Sequence, residues 1–367
     1  MEPPRALPSA AFLLFLIVVF SSCRERSQVT RAYYYWRSGE PEPFERRFVK
    51  DAGLGQLYVR QLDVDWDAVQ GAIPVSGGAP ERLREQLRLY DSVNPRFVPV
   101  VFITNKVFEQ IDTVDGGPLL AQRVARRCLP QLDAIDSVYE DRHYLRGWGG
   151  PIRPGEIQID CDWTVKTAPA YFSFLRTLRR LLPDSVRLSA TIRLHQYKHF
   201  GKTGVPPVDR GMLMIYNISD PTRYGTGSSI FDAKKAAAYF QGARRYPLPL
   251  DMALPAFSWT LVFRNGKFYG IQNGLDEADV RALSFVVPKG GPFYRVTQDT
   301  VFNDIYLRPG DELKVEQVST ADLQAAASLA RSAVNTPRYT VALFELSEKE
   351  IKHYDHDTLA AVYASFR

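Results

Sequence analysis

The strongest constraint on the fold is an alternation of strand-like and helical segments along the chain. The eight strand-like runs are residues 32–37, 56–64, 97–104, 157–162, 187–194, 212–218, 250–257 and 340–346. Residues 80–89, 119–132, 168–182, 232–241, 322–334 and 347–366 carry apolar side chains at helical spacing. Eight such units in 367 residues predict a closed (β/α)8 barrel. A doubly wound open sheet is the alternative, but no glycine-rich nucleotide-binding turn follows the first strand.

One segment departs from this alternation. Residues 293–318 form short strand-like runs broken by Asn303-Asp304 and by Arg308-Pro309-Gly310-Asp311. We therefore expect a single barrel domain over residues 31–367, with a small β-rich insertion at about 290–320, between units seven and eight. Residues 224–229, rich in glycine and serine, predict a mobile loop after the sixth strand.

The N-terminus is typical of an export signal. An arginine at position 5 precedes an apolar run from Ala10 to Phe20, which is too short to span a membrane. Two serines follow and then Cys23, an arrangement that resembles a bacterial lipoprotein signal. We expect a signal peptide over residues 1–22, lipidation of Cys23 and a linker over residues 23–30, which would place the protein in the cell envelope on a membrane. An ordinary secretory signal with a chance cysteine is the alternative.

Composition narrows the class of partner. The chain has 46 Lys and Arg against 41 Asp and Glu, a net charge of +5, and no basic run that would indicate nucleic acid. Cys128 and Cys161 are the other two cysteines; they leave one disulfide open and form no zinc pattern. The five histidines are scattered, so the sequence predicts neither a metal site nor a cofactor.

The fourth strand carries the clearest functional signal. In the segment Glu156-Ile157-Gln158-Ile159-Asp160-Cys161-Asp162-Trp163-Thr164, strand alternation places Gln158, Asp160 and Asp162 on one face. Carboxylates on an otherwise apolar strand are costly unless a polar site receives them. Strand five supplies Arg193, which we expect beside these acids, holding them ionised. Solvated acids at a strand end, or an ion-pair network, are the alternative.

Other polar and aromatic residues also fall at predicted strand ends. In a (β/α)8 barrel the active site forms at the carboxyl ends of the strands. The candidates that bind substrate there are Trp36, Asp65, Trp163, Arg193, Tyr216, Asn217, Asp251, Trp259 and Glu345, with Asp160 and Asp162 as candidate catalytic residues. Paired carboxyl groups are the machinery of glycoside hydrolysis, and aromatic rings stack on sugars. The sequence therefore predicts a carbohydrate ligand.

Three strand-end segments resemble family 18 glycoside hydrolases, the chitinase-like barrels. Residues 159–164 resemble the Asp-x-Asp-x-Glu signature of the fourth strand, residues 214–217 resemble Met-x-Tyr-Asp, and residues 254–257 resemble a Leu-Pro segment. The resemblance implies a barrel that acts on N-acetylated glycans. Thr164 stands where the family has its catalytic Glu, Asn217 stands where it has Asp, and Ile157 replaces a further Asp.

The chain also resembles a set of bacterial lipoproteins of unassigned activity, through residues 158–164, 189–196 and 204–214. Two functions remain open. In the first, the protein is a glycoside hydrolase with a relocated acid, where Asp160 and Asp162 fill one carboxyl role and Asp65, Asp251 or Glu345 fills the other. In the second, it is a lipoprotein that binds glycans without hydrolysis, with a scaffold role as a third possibility.

Overall fold

Eight parallel strands close into a barrel. The computed structural model describes residues 27–37, 42–77, 95–111, 117–122 and 155–366. The barrel strands are β1 (Gln28–Tyr35), β2 (Gln56–Asp67), β4 (Arg96–Ile103), β5 (Glu156–Asp160), β6 (Arg187–Arg193), β7 (Arg210–Met214), β8 (Leu250–Pro255) and β16 (Arg338–Phe344). Each is parallel to its neighbours, and β1 pairs with both β2 and β16, which closes the ring. The predicted (β/α)8 barrel is confirmed.

Helices cover the outside of the barrel. They are α1 (Pro43–Asp51), α2 (Asn105–Gln110), α3 (Ala168–Leu181), α4 (Leu194–Lys198), α5 (Phe200–Thr203), α6 (Ala233–Phe240), α7 (Glu277–Arg281), α8 (Thr320–Ala333), α9 (Glu348–Ile351) and α10 (His356–Ala364). In α3 the apolar residues recur at helical spacing, so that Tyr171, Phe174, Leu175 and Leu178 are buried together. The predicted helix over residues 347–366 is two short helices, α9 and α10.

The lumen of the barrel is polar over much of its length. Tyr34 Oη donates to Gln158 Oε1 at 2.5 Å, and Ser189 Oγ donates to Glu156 Oε1 at 2.7 Å. Because these buried polar groups pair with one another, the desolvation of each is compensated inside the barrel. The predicted face of β5 is therefore correct for Gln158 and Asp160, which point inward, while Ile157 and Ile159 join the apolar core outside.

A second sheet follows β8 directly. Its strands are β9 (Ser258–Arg264), β10 (Lys267–Asn273), β11 (Val286–Gly290), β12 (Phe293–Val296) and β15 (Glu312–Gln317), antiparallel in the order β10-β9-β15-β12-β11. A hairpin of β13 (Thr300–Phe302) and β14 (Ile305–Leu307) accompanies it. The insertion thus begins at Ser258, well before the predicted residue 290. It has its own apolar cluster, which includes Val262, Phe285, Val296 and Leu313.

A further strand, β3 (Gly71–Gly77), is antiparallel to the outer half of β2 and extends that strand into a hairpin. The predicted signal peptide over residues 1–22, Cys23, the first half of the predicted linker, the predicted helix over residues 80–89 and Cys128 lie outside the described residues. Residues 28–30 of the predicted linker belong to β1. Within the described ranges, no helix has the length and apolar character needed to cross a bilayer.

Candidate functional site

An open cavity of about 490 Å³ lies at the carboxyl ends of the barrel strands. Its lining comes from the barrel, from the insertion and from the loops that connect them. The lining residues are Trp36, Arg37, Arg60, Phe102, Asp160, Arg193, Met214, Tyr216, Asn217, Phe257, Ser258, Trp259, Asn273, Gly274, Phe344, Glu345 and Glu350. The volume suits a ligand of small-molecule size, and the position is where barrels of this kind place their sites.

Asp160, Arg193 and Tyr216 form what we call the floor of the cavity. Thr191 Oγ1 donates to Asp160 Oδ1 at 2.7 Å, and Asp160 is 4% exposed. Burial raises the pKa of Asp160, and the nearby Arg193 guanidinium acts against that rise. Arg193 lies beside Asp160 and donates to Asp162 through Nε and Nη2. For Asp160 the effect of burial outweighs the charge of Arg193, so the predicted lowering of its pKa is not found.

Two donors on the floor lack a hydrogen-bond partner among the described residues. Arg193 Nη1 and Tyr216 Oη are buried and make no hydrogen bond with the described residues. Arg193 is among the charges that act on Tyr216, so the two groups are close. A buried polar group without a partner costs about 1–3 kcal/mol. An acceptor oxygen on a bound ligand would satisfy both donors.

Aromatic rings form the apolar part of the lining. Trp36 lies 5.8 Å from Phe344 and 6.4 Å from Phe102, measured between ring centroids. Phe257 lies edge-on to Trp259 at 5.4 Å. Arg60 stacks over the Trp36 ring at 5.2 Å. These contacts fix the rings in place at the edge of the polar floor.

Two further carboxyl groups line the cavity, Glu345 after β16 and Glu350 in α9. Burial and the adjacent Glu350 raise the pKa of Glu345 to about 7. Burial also raises the pKa of Glu350 to about 7, although Ser258 Oγ donates to its Oε1 at 3.0 Å. Two neighbouring carboxyl groups repel each other when both are ionised, so one of them tends to hold a proton.

The insertion positions Trp259 and fastens the loop that follows β7. Trp259 faces Glu316 across the β9–β15 pair and donates to its Oε2 at 2.9 Å. The same oxygen accepts from Ser229 N at 2.8 Å and Oγ at 2.6 Å, and Lys314 Nζ donates to Gly227 O at 2.6 Å. The loop predicted to be mobile, residues 224–229, is therefore hydrogen-bonded to the insertion sheet.

Seven of the predicted site residues line this cavity together: Trp36, Asp160, Arg193, Tyr216, Asn217, Trp259 and Glu345. Asn217 adopts φ 53°, a left-handed conformation that Asn tolerates better than most residues. Asp162 lies beside the cavity lining, since its side chain is 53% exposed and pairs with Arg193.

Three predicted placements are wrong. Trp163 is fully buried; it stacks on Tyr171 at 5.3 Å and its Nε1 donates to Thr203 O at 3.1 Å. It therefore packs behind β5 and offers no surface to a ligand. Asp251 is the second residue of β8, at the amino end of the barrel, where it pairs with Arg210 at 2.9 Å. Asp65 lies on the hairpin beyond the barrel and accepts from Thr104 Oγ1 at 2.6 Å.

Several lining residues were not predicted. Arg60 lies in mid-strand, where a register shift between Arg60 and Leu62 marks a β-bulge that redirects the side chains of β2. Ser258, Asn273 and Gly274 belong to the insertion, and Glu350 belongs to a short helix. The sequence allowed only the lining residues at strand ends to be predicted, because the position of an insertion relative to the barrel does not follow from the strand pattern.

No group of His, Cys, Asp and Glu side chains in the described part of the chain is arranged to hold a metal ion. Cys161 is a free, buried thiol.

Comparison with known proteins identifies the fold. No family model matches the sequence, and no curated protein matches it. Among solved structures, SleL of Bacillus cereus, described as a spore cortex-lytic enzyme, matches with a TM-score of 0.50 and 13% identity, over 93% of this chain and 75% of that chain. A chitinase from Chromobacterium violaceum matches with a TM-score of 0.49 and 14% identity, over 92% of this chain and 98% of that chain.

A Group IV chitinase of Ostrinia furnacalis matches with a TM-score of 0.49 and 11% identity, over 92% of this chain and the full length of the other. At such identities the likeness to SleL establishes the fold, a (β/α)8 barrel that spans most of this chain. The chemistry has to be argued from the cavity itself.

Proposed function

We propose that the cavity at the carboxyl end of the barrel binds a saccharide. The observation that carries this proposal is the mixed lining, in which fixed aromatic rings adjoin buried charges and two donors without partners. A sugar ring presents apolar C–H faces and a rim of hydroxyl groups, so it matches rings on one side and charged groups on the other. The likeness to a cortex-lytic barrel and the resemblance to family 18 sequences support glycans as the first probes.

The unpartnered donors favour one kind of saccharide. Arg193 Nη1 and Tyr216 Oη call for an acceptor oxygen of the ligand. An acetamido carbonyl is such an acceptor and is neutral, so it avoids repulsion from Asp160. We therefore propose an N-acetylated sugar at the floor of the cavity.

Calorimetric titration with matched oligosaccharides tests both statements. Chitotetraose should bind, while its deacetylated form and cellotetraose should bind at least tenfold more weakly. Trp36→Ala should weaken binding by about 1–3 kcal/mol, because it removes an aromatic contact that faces the cavity. Tyr306→Ala is the matched control, since that ring is 48% exposed on the insertion and does not line the cavity. If none of the three sugars binds, the proposal fails.

Trp163→Ala separates packing from binding. Trp163 is 0% exposed, so its truncation should cost about 3–5 kcal/mol of stability. The folded fraction should retain the affinity of the unchanged protein for chitotetraose. A loss of affinity without a loss of stability would indicate that Trp163 contacts the ligand.

Hydrolysis of a glycosidic bond is the second proposal. The supporting observation is that Asp160, Glu345 and Glu350 line one cavity, with pKa values raised by burial. Glycoside hydrolysis needs a protonated and an ionised carboxyl group at the same bond, and raised pKa values are typical of the acid. Product analysis after incubation with chitotetraose tests it; binding without cleavage would leave a glycan-binding protein.

We further propose that Cys23 carries a lipid and anchors the protein to a bacterial membrane. The support is the sequence alone, a short apolar run followed by Ser21, Ser22 and Cys23. Cys23→Ser should move the protein from the membrane fraction to the soluble fraction and remove labelling by palmitate. Equal sedimentation of both forms would argue against this anchor.

A further inference from the structure

We propose that Glu345 is the proton donor to the leaving group, so that the acid of this site comes from the end of the eighth barrel strand. The inference rests on the hydrolytic function proposed above. It assigns the proton-donor role, for which the family 18 resemblance gives no acid on the fourth strand, because that resemblance places Thr164 at the position of the Glu.

The hydrogen bonds of the lining carboxyl groups separate their roles. Asp160 accepts from Thr191 and lies beside the Arg193 guanidinium; burial raises its pKa, and these two contacts, which favour the ionised form, act against that rise. Glu350 is 3% exposed and accepts from Ser258 Oγ. Glu345 is partly exposed to the cavity and accepts no hydrogen bond from the described residues. It is the lining acid left free to meet a ligand.

An independent feature points to a ligand next to Glu345. Tyr216 is 4% exposed, lines the same cavity, and its hydroxyl has no partner in the described chain. The Tyr216 ring lies 5.5 Å from Phe344, the residue before Glu345, and Glu345 is among the charges that act on Tyr216. A saccharide that binds to the Tyr216 hydroxyl would therefore lie near the Glu345 carboxyl group.

The charges around Glu345 favour a carboxyl that holds its proton in mild acid. Six titratable or charged groups act on Glu345 electrostatically. They are Tyr35 in β1, Arg37 after β1, Glu45 in α1, Arg60 in β2, Tyr216 after β7 and Glu350 in α9. Burial, Glu350 and Glu45 raise the pKa of Glu345, while Arg37 and Arg60 lower it. Arg37 is neutralised in part, since its Nη2 donates to Glu45 at 2.6 Å.

The reaction balances with the residues present. The glycosidic C–O bond breaks, its electron pair passes to the leaving oxygen, and that oxygen takes the proton of Glu345. A water molecule adds its oxygen to the anomeric carbon and gives its proton to the ionised Asp160. The products are two sugars with free hydroxyl groups, an ionised Glu345 and a protonated Asp160, which exchange the proton with solvent before the next turnover.

Two substrates with different leaving groups test the assignment. Chitotetraose has a poor leaving group that needs a proton, whereas the dinitrophenyl glycoside of chitobiose releases a stable anion without one. Glu345→Gln should lower kcat on chitotetraose by about 10²–10⁴-fold, the usual contribution of a general acid. It should leave the dinitrophenyl substrate within about fivefold of the unchanged protein, with its affinity for chitotetraose retained.

Glu348→Gln is the matched control, because this exposed side chain lies three positions away and outside the cavity. It should behave as the unchanged protein. If the unchanged protein cleaves chitotetraose and Glu345→Gln cleaves it within threefold of that rate, the assignment of Glu345 is wrong while hydrolysis stands. If the unchanged protein cleaves neither substrate, hydrolysis itself is wrong, and this assignment falls with it.

The pH profile gives a second readout. Cleavage of chitotetraose requires protonated Glu345, so kcat should fall as the pH rises through about 7. Glu350→Gln removes a neighbouring negative charge and should move this alkaline limb to lower pH. An unchanged alkaline limb would contradict the coupling between the two carboxyl groups.

Discussion

The floor of the cavity and the insertion beside it both contain an ion pair, and the two pairs are built differently. On the floor, Arg193 pairs with Asp162, whose side chain is 53% exposed. In the insertion, Lys314 pairs with Glu316 at 2.6 Å, and the two side chains are 2% and 1% exposed. The first pair stays open to solvent and ligands, while the second is dry and holds protein segments together.

The buried Lys314–Glu316 pair explains how the insertion helps to position residues of the cavity. Although burial acts against ionisation, hydrogen bonds from Lys314, Ser229 and Trp259 lower the pKa of Glu316. That carboxylate thus joins the insertion sheet, the loop after β7 and the ring of Trp259 in one network. The exposed pair makes no such joint, which leaves Arg193 Nη1 available to a ligand. The comparison therefore distinguishes an ion pair that stabilises the fold, Lys314–Glu316, from one that leaves Arg193 able to bind a ligand.

The largest expected effect is a loss of stability when the buried Lys314–Glu316 pair is broken. Glu316→Ala leaves Lys314 charged in a dry site, so the free energy of unfolding should fall by about 3–5 kcal/mol. Asp162→Ala, beside the cavity lining, should cost no more than about 1 kcal/mol, because its pair with Arg193 is screened by solvent. Urea denaturation of both variants measures the difference.

The combination of Lys314→Met with Glu316→Gln should recover part of the lost stability, since it removes both buried charges. Equal costs for Glu316→Ala and Asp162→Ala would remove the distinction between a structural and an accessible ion pair.

A smaller effect concerns the acids on the side of the cavity next to the insertion. The ordinary pKa of a Glu is 4.5, and those of Glu345 and Glu350 are raised to about 7 in the folded protein. Between these values the folded chain holds more protons than the unfolded chain, so stability should fall as the pH rises from about 4.5 to 7 and level off above. The melting temperature should drop by roughly a few degrees over this interval.

Replacing both acids, with Glu345→Gln and Glu350→Gln together, should flatten this slope. Thermal unfolding followed by circular dichroism at a series of pH values measures it. A slope that persists in the double variant would belong to other groups, of which Asp251 at the opposite end of the barrel is one, with its pKa also raised to about 7.

The comparison also explains what the sequence could predict. Asp160, Arg193 and Tyr216 lie at strand ends, where the alternation of a strand and the geometry of a barrel fix their direction. Trp163 follows the same strand, but the chain there turns into α3, so strand alternation no longer decides where the ring points. Ser258 and Asn273 belong to an insertion whose pairing depends on contacts distant in sequence, and those left no local signal.

The smallest expected effect is that of Thr164→Glu on kcat. This variant tests whether an acid at the end of the fourth strand could replace the one at the end of the eighth. The family resemblance implies that Thr164→Glu restores a proton donor. In the structure, Thr164 lies outside the cavity lining, and its N–H donates to Thr167 Oγ1 at 2.8 Å in the turn that begins α3. We therefore expect kcat on chitotetraose to stay within about twofold, with a gain in stability of about 0.3–1 kcal/mol from an acid near a helix N-terminus. Recovery of cleavage in the combined variant with Glu345→Gln would show that a carboxyl group at position 164 reaches the leaving group, and the expectation for Thr164→Glu would be wrong.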